Sequence, residues 1–231
     1  MRTGGAPLIP GVRMVVVGRQ GAGKGTQCVR LSRHYVVPHI STGDMLRAAV
    51  KEGTELGRRA DSIMNAGGLV PDDVMIGIVH ERLGHADALT RGYLLDGFPR
   101  TVAQAEAMEE ITAHQPLDLA IDLDVPREMV LERLSSRRVC RDCGTNFTTT
   151  GTERKPWICD VCSGDVIHRE DDTEEAINRR LDGYETQTRP LIDFYATQGL
   201  LVRVSGVGSP DEVLIRLISA IESRRRSPLV G

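Results

Sequence analysis

Nine residues constrain this chain more than any others: Gly18-Arg19-Gln20-Gly21-Ala22-Gly23-Lys24-Gly25-Thr26. They follow an apolar run, Met14 to Val17, and precede a helical pattern over Lys24–Arg33. Glycines at such a strand-to-helix junction let backbone N–H groups point at phosphate oxygens, and the helix N-terminus adds positive potential. Lys24 would reach the transferring phosphates as a point charge. A Gly-rich turn without a ligand is the alternative reading. Four glycines, a lysine and the strand–helix context together speak for phosphate.

The rest of the chain supplies the fold such a loop needs. Further short apolar runs occur at Tyr93–Leu95, Leu119–Leu123 and Leu200–Val204, with a weaker one near Val36–Ile40 broken by Pro38. Helical patterns lie between them at Asp73–Leu83, Val102–Ala113, Arg127–Arg138, Glu174–Tyr195 and Asp211–Ser223. Strands alternating with helices predict an α/β fold, a parallel sheet of about five strands covered on both faces. Two segments break the rhythm and read as insertions. Residues 42–70 are helical with no strand between, and residues 139–168 hold four of the five cysteines with little helical periodicity.

The 231 residues suit one domain with small insertions. No apolar run approaches the roughly 18 residues needed to span a bilayer. Met1–Gly11 carries Pro7 and Pro10, lacks an apolar h-region, and reads as a loose extension rather than a secretory signal. The tail 224–231 reads as a frayed basic end, and the expected location is the cytoplasm. A net charge of −3 and 3% aromatic residues argue against a nucleic-acid surface. Lys24, Lys51 and Lys155 are the only lysines among 29 basic residues, so arginine dominates, as bidentate phosphate contacts favour.

In the phosphate loop Gly25 stands where Ser or Thr usually follows the lysine, and Thr26 comes next. This Gly-Lys-Gly-Thr ending resembles that of nucleoside monophosphate kinases. Ser41-Thr42-Gly43-Asp44-Met45-Leu46-Arg47 resembles the opening of the monophosphate-binding segment of adenylate kinases. Leu95-Asp96-Gly97-Phe98-Pro99-Arg100, followed by Gln104, resembles that family's second hallmark. The likeness covers about residues 12–222, with the motifs in the family's order.

The resemblance implies a P-loop three-layer fold and reversible, Mg²⁺-dependent transfer, ATP + AMP to 2 ADP, serving adenine nucleotide balance. The reaction would be in-line, under a closing lid. Its core would be residues 12–41, 71–137 and 169–222, with 42–70 as the monophosphate segment, 138–168 as the lid, and loose termini at 1–11 and 223–231. It implies ATP binding by Gly21, Ala22, Gly23, Lys24, Gly25, Thr26, Arg133 and Arg137. AMP would be held by Thr42, Arg47, Gly97, Arg100, Gln104, Arg169 and Arg180, and the catalytic charges would be Lys24, Arg100, Arg137, Arg169 and Arg180. Asp96 would hold Mg²⁺ through water; Mg²⁺ commonly keeps several waters. A monomer is expected.

Residue by residue, plainer readings stay open. Each arginine could be a solvated surface charge, and Arg138 has no clear assignment. Thr101-Val102-Ala103-Gln104 also fits a capping box, in which Gln104 would bond the cap backbone rather than adenine. Thr42 could cap a turn. Asp44 could assist the metal or act as a helix N-cap. Arg133 and Arg137 are spaced i, i+4 and are expected on one helix face.

Cys140-x₂-Cys143, fifteen residues, then Cys159-x₂-Cys162 matches a Cys₄ zinc pattern, with Gly144 and Gly164 placed for the knuckles. With all four ligands from protein, such a zinc is structural. Two disulfides, an iron site or a nucleic-acid ribbon are the rivals. Arg141, Arg154 and Lys155 are offset by Asp142, Glu153, Asp160 and Asp165. Cys28 reads as a small packed residue. Another monophosphate as acceptor, GTP as donor, or a non-catalytic nucleotide-binding regulator remain open; Gln20, where the family usually has proline, is the departure favouring the last.

Overall fold

The computed structural model describes residues 11–149, 156–169 and 172–226. Expectations for Met1–Pro10, Glu153, Arg154, Lys155 and the tail 227–231 lie outside these residues. Strand β1 (Val12–Val17) is the centre of a parallel sheet in the order β2-β3-β1-β4-β8. Its partners are β2 (His39–Ser41), β3 (Gly92–Asp96), β4 (Leu119–Asp124) and β8 (Leu201–Ser205). Alternate β1 side chains enter different cores. Val12, Met14 and Val16 join one cluster, Val15 and Val17 the other. A strand sandwiched in this way has to read as continuously apolar.

The first core is covered by α1 (Lys24–Tyr35), α7 (Arg127–Ser135), α8 (Glu174–Gly183) and α10 (Pro210–Arg226). The second takes α2 (Thr42–Lys51), α3 (Glu55–Asn65), α4 (Asp72–Leu83), α5 (Ala86–Arg91), α6 (Val102–Ile111) and α9 (Pro190–Thr197). The result is the expected three-layer α/β fold with five parallel strands. Helices α2 and α3 form the insertion at 42–70. Gly57 sits where the two cross, and a Cβ there would stand 2.1 Å from the Ala49 carbonyl oxygen.

The second insertion contains a small antiparallel sheet, ordered β6-β5-β7, from β5 (Arg137–Cys140), β6 (Asn146–Thr148) and β7 (Val166–Ile167). Here the helix expected to reach Arg138 stops at Ser135, because the chain turns to join this sheet. Arg133 and Arg137 therefore do not share a helix face. The helix expected over Glu174–Tyr195 is also broken. A π-helical turn, Tyr184–Thr188, separates α8 from α9, and the Arg189 N–H donates to the Tyr184 carbonyl at 2.8 Å. Pro190 lacks an N–H and its ring crowds the preceding turn, which favours such a widened register. At the C-terminal end α10 continues to Arg226, so Ser223–Arg226, expected to be loose, are helical. The Arg225 guanidinium lies over the Tyr35 ring at 5.7 Å and holds that end down.

Candidate active site

Five helices carry side-chain caps among the described residues. Ser41, Thr54, Thr101, Thr173 and Ser209 accept from the third N–H of α2, α3, α6, α8 and α10. Helix α1 has none: its cap is Gly23, at φ 95°, and no acidic residue lies in its first turn. Its N–H groups are left for an anion, at the C-terminal end of the central strand where the topology opens a crevice. The phosphate loop thus stands where its sequence places it.

Lys24 is half-buried and donates to the carbonyls of Gly18 (2.7 Å) and Arg19 (3.0 Å). Burial pulls its pKa below the usual lysine value. Asp96 opposes that shift, while Arg100 and Arg137 are close enough to add to it. Burial likewise lowers Arg100, with Asp96 opposing and Arg180 and Arg47 contributing. Lys24, Arg100, Arg137, Arg180 and Arg47, scattered over 157 positions of sequence, therefore share one field. Burial disfavours ionisation of Asp96, but His39, Lys24 and Arg100 outweigh it and hold its carboxyl below the ordinary value. One anion at the end of β3 faces a ring of cations.

Arg133 reaches back from α7 to the carbonyls of Ala22 (3.2 Å) and Gly206 (3.1 Å), beside the loop. Arg137 meets it from β5 instead of from the helix. Its Nε donates to Asp172 at 2.6 Å and its Nη2 also bonds that carboxylate. Arg180 stands 3.8 Å from the same group and donates to the Met64 carbonyl at 2.6 Å. Gln20 completes the cluster, donating to Asp172 at 3.2 Å, a contact proline could not make. Asp172, with no exposed side-chain surface, thus gathers Gln20, Arg137 and Arg180 around one carboxylate. The sequence pattern gave Asp172 no task of its own. The clue was that Thr173 alone caps α8, leaving the adjacent carboxylate without a local task.

Arg169 is half-buried at the far end of the lid, and its carbonyl accepts from the Asp172 N–H at 3.0 Å. Arg19, although inside the phosphate loop, faces away: it pairs with Glu185 at 2.6 Å and lies over Tyr184. Arg138 donates to the carbonyls of Ser135 and Arg137.

On the monophosphate side, Arg47 pairs with Asp44, whose carboxyl is lowered by Arg47 and Ser41 against the opposing effect of burial. Asp44 is not the N-cap of α2. Ser41 is, accepting from the Asp44 N–H at 3.3 Å, because the chain enters the helix one turn earlier. Thr42 caps nothing; its hydroxyl lies 3.4 Å from the Asp96 carbonyl. Gly97, at φ 82°, is bracketed by Thr42 and Arg100, and a Cβ would stand 2.8 Å from the Thr42 hydroxyl.

Gln104 is buried. Its amide oxygen accepts from the Arg100 N–H at 2.7 Å and its Nε2 donates to Asp72 at 2.7 Å. Thr101 does cap α6, accepting from the Gln104 N–H at 3.1 Å, but the reciprocal half of a capping box goes to Arg100 instead. One amide proton and one oxygen lone pair remain for a ligand. Asp72 also accepts from Thr101 at 2.8 Å and so fixes both side chains. No local pattern signalled Asp72, which comes from 32 residues upstream.

In the lid, the thiols of Cys140, Cys143, Cys159 and Cys162 are free and all lie within 4.8 Å of one another. Cys140–Cys162 and Cys143–Cys159 sulfur distances are 3.4 and 3.7 Å. A disulfide needs about 2.05 Å, whereas thiolates on a tetrahedral ion with bonds of about 2.3 Å stand about 3.8 Å apart. Gly144 takes the left-handed turn at the first knuckle (φ 72°), but at the second it is Ser163 (φ 63°), not Gly164. Gly164 instead packs under the Asp142 side chain, which would have to move aside for a Cβ there.

Comparison with known proteins agrees with this geometry. The sequence pattern of the family described as Adenylate kinase matches residues 16–200. An adenylate kinase of Thermodesulfovibrio yellowstonii is 47% identical over 216 residues, 92% of this chain and 100% of its own length. Adenylate kinases of Streptomyces coelicolor (47%, 91% of this chain and 99% of theirs) and Moorella thermoacetica (46%, 91% and 98%) are similar to it to the same degree. With the phosphate loop, the ring of arginines and likeness over nine-tenths of its length, the chain belongs to the adenylate kinase family.

Proposed function

We propose that the chain transfers the terminal phosphoryl group of Mg²⁺-bound ATP to AMP, giving two ADP, in reverse as readily as forward. The observation that carries this reading is a chain of neighbouring cations: Lys24 at the uncapped start of α1 lies close to Arg100 and Arg137, and Arg100 in turn to Arg47 and Arg180. Five linked cations beside an anion-binding helix end suit two phosphate-bearing substrates better than one. The backbone of Gly21, Ala22, Gly23, Gly25 and Thr26 would cradle ATP, with Arg133 beside it. Arg47, Arg100 and Gly97 would seat the AMP phosphate, and Thr42 and Gln104 its adenine.

The accepting phosphate oxygen is already largely ionised at neutral pH, so no general base is required. The chain's task is to align the two phosphates and neutralise their charge. On closure, phosphate replaces Asp172 as partner of Arg137 and Arg180, Arg169 comes over the reacting groups, and water is excluded.

Asp96 fits a magnesium site: it is ionised, beside Lys24, and 3.6 Å from where a Gly25 side chain would begin. Gly25 offers no hydroxyl ligand, which favours contact through water. When bound, the ion neutralises charge on the ATP phosphates. The four lid thiols fit a structural zinc ion. We further infer a core of residues 12–41, 71–137 and 169–222, a monophosphate segment at 42–70 and a lid at 138–168. The active form is a monomer in the cytoplasm, where reduced thiols persist.

Phosphorus NMR with Mg²⁺, ATP and AMP, repeated with GMP, UMP or CMP, tests the reading. Conversion to ADP with AMP alone is expected. Transfer to another monophosphate would overturn the role of Gln104, and no transfer at all would overturn catalysis.

A further inference from the structure

Three side chains that phosphoryl transfer does not use together meet under the phosphate loop. Cys28 on α1 is fully buried. His39 opens β2 with its side chain 16% exposed, and Asp96 ends β3 at 12%. The Cys28 sulfur, a His39 ring nitrogen and an Asp96 carboxylate oxygen all lie within 4.8 Å of one another. His39 Nε2 stands 3.6 Å from Asp96 Oδ2, beyond hydrogen-bond distance, and is buried without a hydrogen-bond partner among the described residues. A buried ring nitrogen left unbonded beside a carboxylate and a thiol is costly as packing alone.

We propose that Cys28, His39 and Asp96 form a second cation site, selective for a borderline transition metal of the zinc class, and that filling it withdraws Asp96 from magnesium. One sulfur, one imidazole nitrogen and one carboxylate are a donor set that zinc takes readily, whereas magnesium requires oxygen. Donors on a tetrahedral zinc ion stand about 3.3 to 3.7 Å apart. His39 and Asp96 already have that spacing, and Cys28, within 4.8 Å of both, has to close by at most about an ångström. Three protein ligands leave a fourth position for water or a phosphate oxygen. On binding, the Cys28 thiol gives its proton to solvent and its sulfur bonds the ion. The charges of Lys24 and Arg100 beside Asp96 oppose any added cation. The site therefore fills after the four lid thiols, not before.

Binding at these residues stands on geometry; only the inhibitory consequence rests on the assignment of Asp96 to magnesium. The test is a zinc titration of the full chain, with zinc already in the lid, against a chromophoric chelator. It is repeated on Cys28→Ala and His39→Gln. Beyond the one tight equivalent already held in the lid of every protein, a second, weaker equivalent is expected in the wild type only. Zinc should inhibit wild-type transfer as that second equivalent binds, with relief by excess Mg·ATP. Cys28→Ala should keep basal activity and escape inhibition. Wild-type protein that takes up only the lid equivalent, or Cys28→Ala that retains the second, overturns the site. A Cys28-dependent equivalent that does not compete with Mg·ATP upholds the site and overturns the magnesium role of Asp96. If the lid takes no zinc, the Cys28-dependent equivalent is still seen, alone.

Discussion

The two insertions flank one active site but are ordered by different physics. In the helical insertion, Leu46, Ala60 and Val70 are buried in the same cluster as β1 and β3, and Gly57 lets α2 and α3 cross at backbone contact. Burial against the sheet makes this segment part of the core. The lid sends none of its described residues into either cluster. Its buried side chains are Cys140 and Cys159, its one ring contact is Phe147 with Trp157 at 5.5 Å, and Ile158 and Val161 stay exposed. A segment with so little apolar burial has the four thiols as its main source of order. On that account the order of this segment is set apart from the stability of the core.

The largest effect that could break this contrast is removal of the zinc proposed for the four thiols. Chelation, or Cys143→Ser, should remove stabilisation on the order of 10 kcal/mol from the lid alone. Hydrogen exchange should show lost protection at residues 137–149 and 156–169 with the sheet still protected, and transfer slowed roughly 100-fold. Unfolding of the core along with the lid would show that the two are one cooperative unit.

Gly57→Ala is the counterpart in the helical insertion. Overpacking against the Ala49 carbonyl should cost about 3 kcal/mol. Because this segment shares the core, the loss should appear in global denaturant unfolding, with an unchanged lid metal content. If only local exchange near residues 48–66 changed, the insertion would be as independent as the lid.

Asp72→Ala is expected to act more narrowly. Without its partner, the Gln104 amide can turn, and the KM for AMP should rise about tenfold, or 1.4 kcal/mol. The KM for ATP and the melting temperature should move little. Equal effects on both substrates would remove Asp72 from base selection.

The smallest effect belongs to the core against which both insertions are measured. Val36, a β-branched residue, caps α1 at φ 55° and is 62% exposed. Val36→Gly should relieve the left-handed strain and stabilise by about 1 kcal/mol, visible as a higher melting temperature with unchanged kinetics.

Much of this was legible before any coordinates. Continuous apolar runs announce strands buried on both faces, and the loop from Gly18 to Thr26 announces its own strand-to-helix context. The cysteine spacing announces the knuckles. All are local patterns, where neighbours in sequence are neighbours in space. Helix ends were less legible: Ser135 ends α7 because the next residues pair in a sheet with a segment ten positions on, and the break at Tyr184–Thr188 precedes its apparent cause, Pro190. Least legible were partners brought together from far apart. Asp172 gathering Gln20, Arg137 and Arg180, Asp72 fixing Gln104, and Cys28 meeting His39 and Asp96 are contacts between elements. Sequence by itself determined which chemistry this chain carries and the order of its strands and helices. Only the tertiary structure decided which charge faces which, because electrostatics and hydrogen bonding act over ångströms in space and take no account of distance along the chain.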